Sequence, residues 1–160
     1  SILRGGYGME KIKNIMEKDV FVASENNNIG EILHILVEHK TSGLPIVNDQ
    51  GVLVGFISDG DIMKFIAKQD PRIIDMTSFI TAWYDEESFD KKMQDLFKIN
   101  VMELATTKVI DVDIDDEVDE VARTLGKKKI KKVPVVENGK IVGIVSRSMI
   151  IRYIVAQHLR

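Results

Sequence analysis

Two stretches of the chain hold residue types that could handle an anionic or sugar-bearing ligand. The first is Gly55-Phe56-Ile57-Ser58-Asp59-Gly60-Asp61, and the second is Gly143-Ile144-Val145-Ser146-Arg147-Ser148-Met149. Each follows a short β-branched run and precedes an apolar run with helical spacing, so a strand delivers a serine to the first turn of a helix. A helix N-terminus presents unpaired backbone N–H groups and the positive end of a dipole, which together suit a phosphate. In the first copy Asp61 follows Ser58 by three residues. A carboxylate there could hold a pair of sugar hydroxyls. The same spacing also describes a capping box, with Ser58 as N-cap and an acid at N3, and on local sequence alone this is the simpler reading. The second copy keeps the serine as Ser146 but carries Met149 where the first has its acid. The two copies are therefore unequal as ligand sites, although both are sound helix starts.

The elements that must position these residues recur. Val20-Phe21-Val22 reads as a brief strand and Asn26-Asn27-Asn28 as a polar stop and cap region. Ile29, Ile32, Leu33, Leu36 and Val37 then share one face of an amphipathic helix. Leu44-Pro45-Ile46-Val47 and Val52–Ile57 form a hairpin around Asn48–Gly51, and Ser58 opens a helix carrying Ile62, Met63, Phe65 and Ile66. The order repeats from Val109-Ile110-Asp111-Val112, through a helix marked by Val118, Val121, Ala122 and Leu125, to Val133-Pro134-Val135-Val136. The turn Asn138-Gly139 and the return strand to Val145 follow. Pro134 follows Pro45 by 89 positions and Gly143 follows Gly55 by 88, as a hairpin one residue shorter requires. This is an internal repeat. The boundaries read as a tail over 1–9 (a remnant preceding Met9), a first repeat over 10–66, an intervening segment over 67–99 and a second repeat over 100–160. In the intervening segment Asp70-Pro71 should end the preceding helix. Ser88 is expected to cap an extra helix bearing Phe89, Met93, Leu96 and Phe97. Trp83 and Tyr84 read as packing residues, because no basic groove surrounds them. The fold class is α/β of the α+β type: two pseudo-symmetric β-α-β-β-α repeats packed sheet against sheet. The last helix is apolar on more than one side, which suggests a second subunit.

Composition narrows the function classes. The chain has 160 residues, 44% hydrophobic and 29% charged, with a formal net charge of −3 and no cysteine. That is an ordinary globular composition. Thiolate chemistry, disulfides and cysteine-ligated metals are excluded. The acidic balance argues against nucleic acid as the partner of the whole surface. No apolar run approaches the ~20 residues of a membrane span, and the expected location is the cytoplasm. His34, His39 and His158 share no ligand spacing. The acidic stretch Asp111 to Glu120 lacks the order of a calcium loop, so no metal site is expected. No catalytic constellation is present, and the chain is read as a non-enzyme.

The repeated order of strand, helix, Pro-containing strand, hairpin and Gly-h-h-Ser resembles a pair of CBS motifs, over about residues 10–66 and 100–158. The resemblance implies a Bateman module: a regulatory unit, commonly dimeric, that senses AMP, ADP, ATP or S-adenosylmethionine and acts on an attached or partner protein. It further implies that Ser58, after Ile57, meets phosphate and that Asp61 holds the ribose hydroxyls. Thr106, Thr107 and Ile110 would flank the base, and Lys131 and Lys132 would reach the phosphates, where two ammonium groups favour an anion. The opposite site, with Phe21, Ser42, Ser146 and Arg147, departs from the pattern. Met149 replaces the acid, and Ser42 and Gly43 stand where Lys131 and Lys132 do. One good nucleotide site and one degenerate site follow. Lys127, Lys128 and Lys129 read as a solvated helix end. The expected function is adenine-nucleotide (energy) sensing by a homodimer with a regulated partner in trans and no obligatory cofactor. The alternatives are a structural dimerisation module with lapsed sites and an S-adenosylmethionine sensor.

Overall fold

The computed structural model of the chain describes residues 10–69 and 86–159. The readings of the tail over 1–9, of Pro71, and of Ile73 to Tyr84 including Trp83 lie outside the described residues. Two compact units are present. The first-repeat unit takes Val22–Ile46 and Val54–Lys108, and the second-repeat unit takes the described residues up to Phe21, Val47–Leu53 and those from Val109 onward.

In the first-repeat unit β1 (Ala23–Ser24), β2 (Gly43–Val47) and β3 (Leu53–Ser58) form a sheet in the order β1-β2-β3. Helix α1 (Ile29–Glu38) starts at a complete capping box. The Asn28 side chain accepts from the Glu31 N–H at 2.8 Å, and the Glu31 carboxylate accepts from the Asn28 N–H at 3.0 Å. Such a pair satisfies two of the donors that a helix start leaves open. Its apolar stripe buries Ile29, Ile32 and Leu36 against Leu44, Ile46, Ile57 and Ile62. Val37, expected on that stripe, is 77% exposed, because it lies at the stripe's edge in the last turn. Helix α2 (Asp59–Gln69) follows β3 without a loop, and α3 (Glu86–Lys98) closes the core with Leu96. Gly30 lets α3 approach α1: a Cβ there would stand 3.2 Å from Phe97 Cβ.

In the second-repeat unit β4 (Val112–Asp113) pairs parallel with β5 (Lys132–Glu137), which pairs antiparallel with β6 (Lys140–Ser146). Helices α4 (Val118–Lys128) and α5 (Arg147–His158) cover the core of Val118, Val121, Leu125, Val133, Val135, Val145 and Ile150. The Asn138-Gly139 turn has φ of 53° and 79° at its two residues, the positive values a tight two-residue hairpin demands. Helix α5 is two-sided, as expected. Ile150 is buried, whereas Ile151 is 58% exposed and Ile154 and Val155 are exposed beside it.

Three expected elements are shifted. The strand expected over Val20–Val22 lies at Ala23–Ser24, where Ala23 enters the core, while Phe21 is 49% exposed. Likewise the strand expected from Val109 is confined to Val112–Asp113. Helix α3 begins at Glu86, so Ser88 lies within it and is not its cap.

Each unit also contains the entry segment of the other repeat. The 3-10 turn Ile12–Asn14 places Ile12, fully buried, in the second-repeat core. The Ile12 N–H donates to the Asp116 carbonyl at 2.8 Å, and Glu17 and Ile144 exchange both backbone hydrogen bonds at 2.9 Å. The corresponding turn Val101–Glu103 places Val101 in the first-repeat core. There the Val101 N–H donates to the Asn27 carbonyl at 2.9 Å, and Phe56 and Thr106 exchange both hydrogen bonds at 2.9 Å.

Candidate ligand-binding site

The structure builds the Ser58–Asp61 pair from the junction of β3 and α2. Ile57 is fully buried and fixes the end of the strand. The next side chain, Ser58, is half-buried at the surface. Asp61 Oδ2 accepts from the Ser58 N–H and from the Ser58 hydroxyl, both at 3.0 Å, while Ser58 Oγ accepts from the Asp61 N–H at 3.2 Å. The capping-box reading is therefore realised in full. The Asp59 N–H donates to the Ser42 carbonyl at 2.8 Å, so the residue before Gly43 abuts the start of α2.

Thr106 is brought beside this junction by its backbone exchange with Phe56. Gly55 makes that approach possible. A Cβ at Gly55 would lie 3.3 Å from the Thr106 carbonyl oxygen, 3.3 Å from Ile46 Cδ1 and 3.4 Å from Met102 Cε. A glycine inside a strand marks such a close backbone approach. Thr106 and Thr107 are exposed. Ile57, Ser58, Asp61, Thr106, Thr107 and Ser42 thus belong to one unit.

The second-repeat unit holds Ile110, Lys131, Lys132, Ser146, Arg147 and Phe21. The Arg147 N–H donates to the Lys131 carbonyl at 2.8 Å, the counterpart of the bond from Asp59 to Ser42. The pairing of Ser42 with Lys131 expected from the repeat is thereby matched by equivalent hydrogen bonds. Ser146 Oγ accepts from the Met149 N–H at 3.2 Å and lies 2.9 Å from Ser148 Oγ. The start of α2 carries two acids, Asp59 and Asp61, while the start of α5 carries none and has Arg147 with Lys131 beside it.

Residues 12–68 and 101–156 each match the family model of the CBS domain. The chain belongs to the CBS domain family. Among its relatives is the protein MJ1426 of Methanocaldococcus jannaschii, 31% identical over 90% of each chain. The CBS domain pair of protein MJ0100, solved with 5′-methylthioadenosine and S-adenosyl-L-methionine, is 30% identical with a TM-score of 0.69. That match covers 93% of this chain and 98% of the other. CBSX2 solved in complex with AMP is 23% identical with a TM-score of 0.70, covering 92% and 98%. Other curated relatives are longer: this chain spans 32% of MJ1404 and 22% of L-aspartate semialdehyde sulfurtransferase, both from M. jannaschii.

The sequence marked Ser58, Ser146 and the proline strands as a repeated frame, and both serines cap their helices, but the structural part played by Gly55 was missed. The signal was present, since Gly143 occupies the same place in the second copy. There a Cβ would stand 3.0 Å from the Glu17 carbonyl oxygen. Among the described residues, no three His, Asp or Glu side chains are grouped to hold a metal ion, and no helix is long and apolar enough to cross a membrane.

Proposed function

We propose that this CBS pair is a regulatory module that binds an adenosine-containing ligand and signals its presence to a partner protein. The observation that carries the reading is Asp61, an acid fixed at the start of α2 beside the docked Thr106 segment. A carboxylate so held suits the two hydroxyls of a ribose. Thr106, Thr107 and Ile110 are assigned to the base, and Lys131 and Lys132 to the phosphates of AMP, ADP or ATP. Support for an adenosine ligand comes from the MJ0100 pair, a 30% identical relative whose structure holds two adenosine derivatives. The CBSX2 structure holds AMP, and at 23% identity it speaks to the fold.

A second reading, a sensor of S-adenosylmethionine or a related thioether nucleoside, is favoured by the ligands of that same MJ0100 pair. Lys131, Lys132 and Arg147 favour the phosphate-bearing ligand instead, by charge. The exposed side of α5, with Ile151, Ile154 and Val155, supports a homodimer. The site around Phe21, Ser42, Ser146 and Arg147 is assigned as degenerate, since Met149 leaves it no acid for a ribose.

Equilibrium binding of AMP to Asp61→Ala tests the assignment. A residue that only caps α2 loses about 0.5–2 kcal/mol of stability on substitution. A ribose anchor loses affinity in addition, and unchanged affinity in the folded variant would refute the assignment.

A further inference from the structure

The two hairpin tips hold an asparagine differently. Between β2 and β3 the Asn48 carboxamide is locked: its Oδ1 accepts from the Gln50 N–H and from the Val52 N–H, both at 3.0 Å, and Asp49 follows it. Between β5 and β6 Asn138 is followed by Gly139, and both are exposed. Among the described residues neither the Asn138 carboxamide nor the Gly139 N–H has a hydrogen-bond partner. A Cβ at Gly139 would have Val52 Cγ1, at 3.8 Å, as its neighbour, so the tip is open as well. The other asparagines are held or hindered. Asn27, Asn28 and Asn100 each accept a backbone N–H through Oδ1, while Asn14 and Asn26 precede Ile15 and Asn27, whose side chains crowd the next nitrogen.

An unbonded carboxamide ahead of an unhindered glycine nitrogen is chemically reactive. The Gly139 nitrogen attacks Asn138 Cγ. An N–Cγ bond forms, the Cγ–Nδ2 bond breaks, and ammonia leaves with the proton of the Gly139 N–H. Water then opens the cyclic imide at either carbonyl. Opening at Cγ gives aspartate. Opening at the main-chain carbonyl gives isoaspartate, whose backbone runs through Cγ and is one methylene longer. Water and hydroxide are the only co-reactants.

The two products differ in what they do to the fold. The turn has φ of 53° and 79° at its two residues, and Asp-Gly serves such a turn as Asn-Gly does. An added backbone atom does not fit a two-residue loop. It displaces the Gly139 carbonyl, which accepts from the Leu53 N–H at 3.0 Å, and the nearby bond from the Ile141 N–H to the Gly51 carbonyl at 3.4 Å. All four residues lie in the second-repeat unit.

We infer that Asn138 is a site of spontaneous deamidation, and that its isoaspartyl product unfastens the β5–β6 tip from Gly51–Leu53. Ring closure requires the tip to open, so the rate in the folded protein follows that local opening. The inference is independent of the ligand reading.

The test is storage of the full chain at physiological and mildly alkaline pH, sampled over weeks. Peptide mass spectrometry with electron-based fragmentation separates isoaspartate from aspartate, and a urea-unfolded sample gives the rate without the fold. Asn48 must give up two hydrogen bonds before it reacts, so conversion at Asn138 should exceed that at Asn48 by about ten- to a hundredfold. It should rise with pH and yield isoaspartate. Asn138→Gly keeps the turn, because Gly-Gly also serves it, and removes the carboxamide. Its Tm should hold on storage, whereas that of the unaltered protein should fall as isoaspartate accumulates. Freshly prepared Asn138→Asp should melt with the fresh unaltered protein. Asn138 intact in the folded protein while the unfolded chain converts overturns the inference, as does equal conversion at Asn48. Isoaspartate without a fall in Tm, or an equal fall in Asn138→Gly, overturns the unfastening of the tip.

Discussion

Gly55→Ala should loosen the entry segment of the second repeat from β3. The backbone at Gly55 has no positive φ, so alanine meets no conformational penalty there. Its methyl group meets three neighbours: Ile46 Cδ1 at 3.3 Å, Met102 Cε at 3.4 Å and the Thr106 carbonyl oxygen at 3.3 Å. The first two are ends of flexible side chains and can yield a few tenths of an ångström. The third is backbone, locked by the Phe56 N–H at 2.9 Å while the Thr106 N–H returns to the Phe56 carbonyl at 2.9 Å. Relief must therefore come from tilting or lengthening that pair. Overpacking of this kind costs about 1–3 kcal/mol. Against it stands a gain of about 0.4–1 kcal/mol from the stiffer unfolded chain. A net loss of about 1–2 kcal/mol should lower Tm by roughly 2–8 °C for a chain of this length. Thermal denaturation followed by circular dichroism reads the loss, and hydrogen exchange at the Phe56 and Thr106 amides should quicken. An unchanged or raised Tm with both amides still protected would refute the close approach of Thr106 to β3.

Ile12→Ala should cost about 2–5 kcal/mol, as for a large residue removed from a packed core. The hydrogen-exchange protection it lowers should be that of Val118–Ile150 rather than that of α1, and loss from α1 first would contradict the placement of Ile12. Replacing Lys131 and Lys132 together by Glu should weaken AMP and ATP binding more at low salt than at high salt and leave adenosine unchanged. An equal loss for adenosine would remove both lysines from the phosphate role. Burial, with a smaller contribution from the Glu10 charge, raises the Tyr153 phenol above its ordinary value of 10.0. The folded state therefore favours the neutral phenol, so this contribution to stability is complete below the ordinary value and is lost as pH rises from there through the raised folded-state value. Tyr153→Phe should flatten the fall in Tm above about pH 10, and an identical alkaline profile in the variant would count against it.

The parts of the fold that were legible in the sequence are those written in local chemistry. The cap region ending at Asn28, the positive-φ turn at Asn138-Gly139 and the stripe of Ile29, Ile32 and Leu36 each need only a few neighbouring residues to specify them. Strand placement was less legible. Val20, Phe21 and Val22 have the side chains of a strand, yet the ladder forms at Ala23–Ser24, because pairing with β2 is decided by backbone position and not by side-chain type. The exchange of entry segments was not legible at all. Ile12 and Val101 enter distant cores through backbone hydrogen bonds to Asp116 and Asn27, and nothing in the sequence around either residue names those partners. The candidate site shows the same division. The spacing of Ser58 and Asp61 announced a cap, but the commitment of the Ser58 proton to Asp61 is visible only in three dimensions.

We propose that the chain senses an adenosine-containing ligand. Its most direct test is a thermal-shift series on freshly refolded protein with AMP, ADP, ATP, S-adenosylmethionine, 5′-methylthioadenosine and GTP. A ligand at a hundred times its Kd adds about 2.7 kcal/mol, which here corresponds to roughly 5–10 °C. A shift of that order is expected with at least one adenosine compound, and little with GTP. No shift with any of them, or a GTP shift as large as the best adenosine compound, would contradict it.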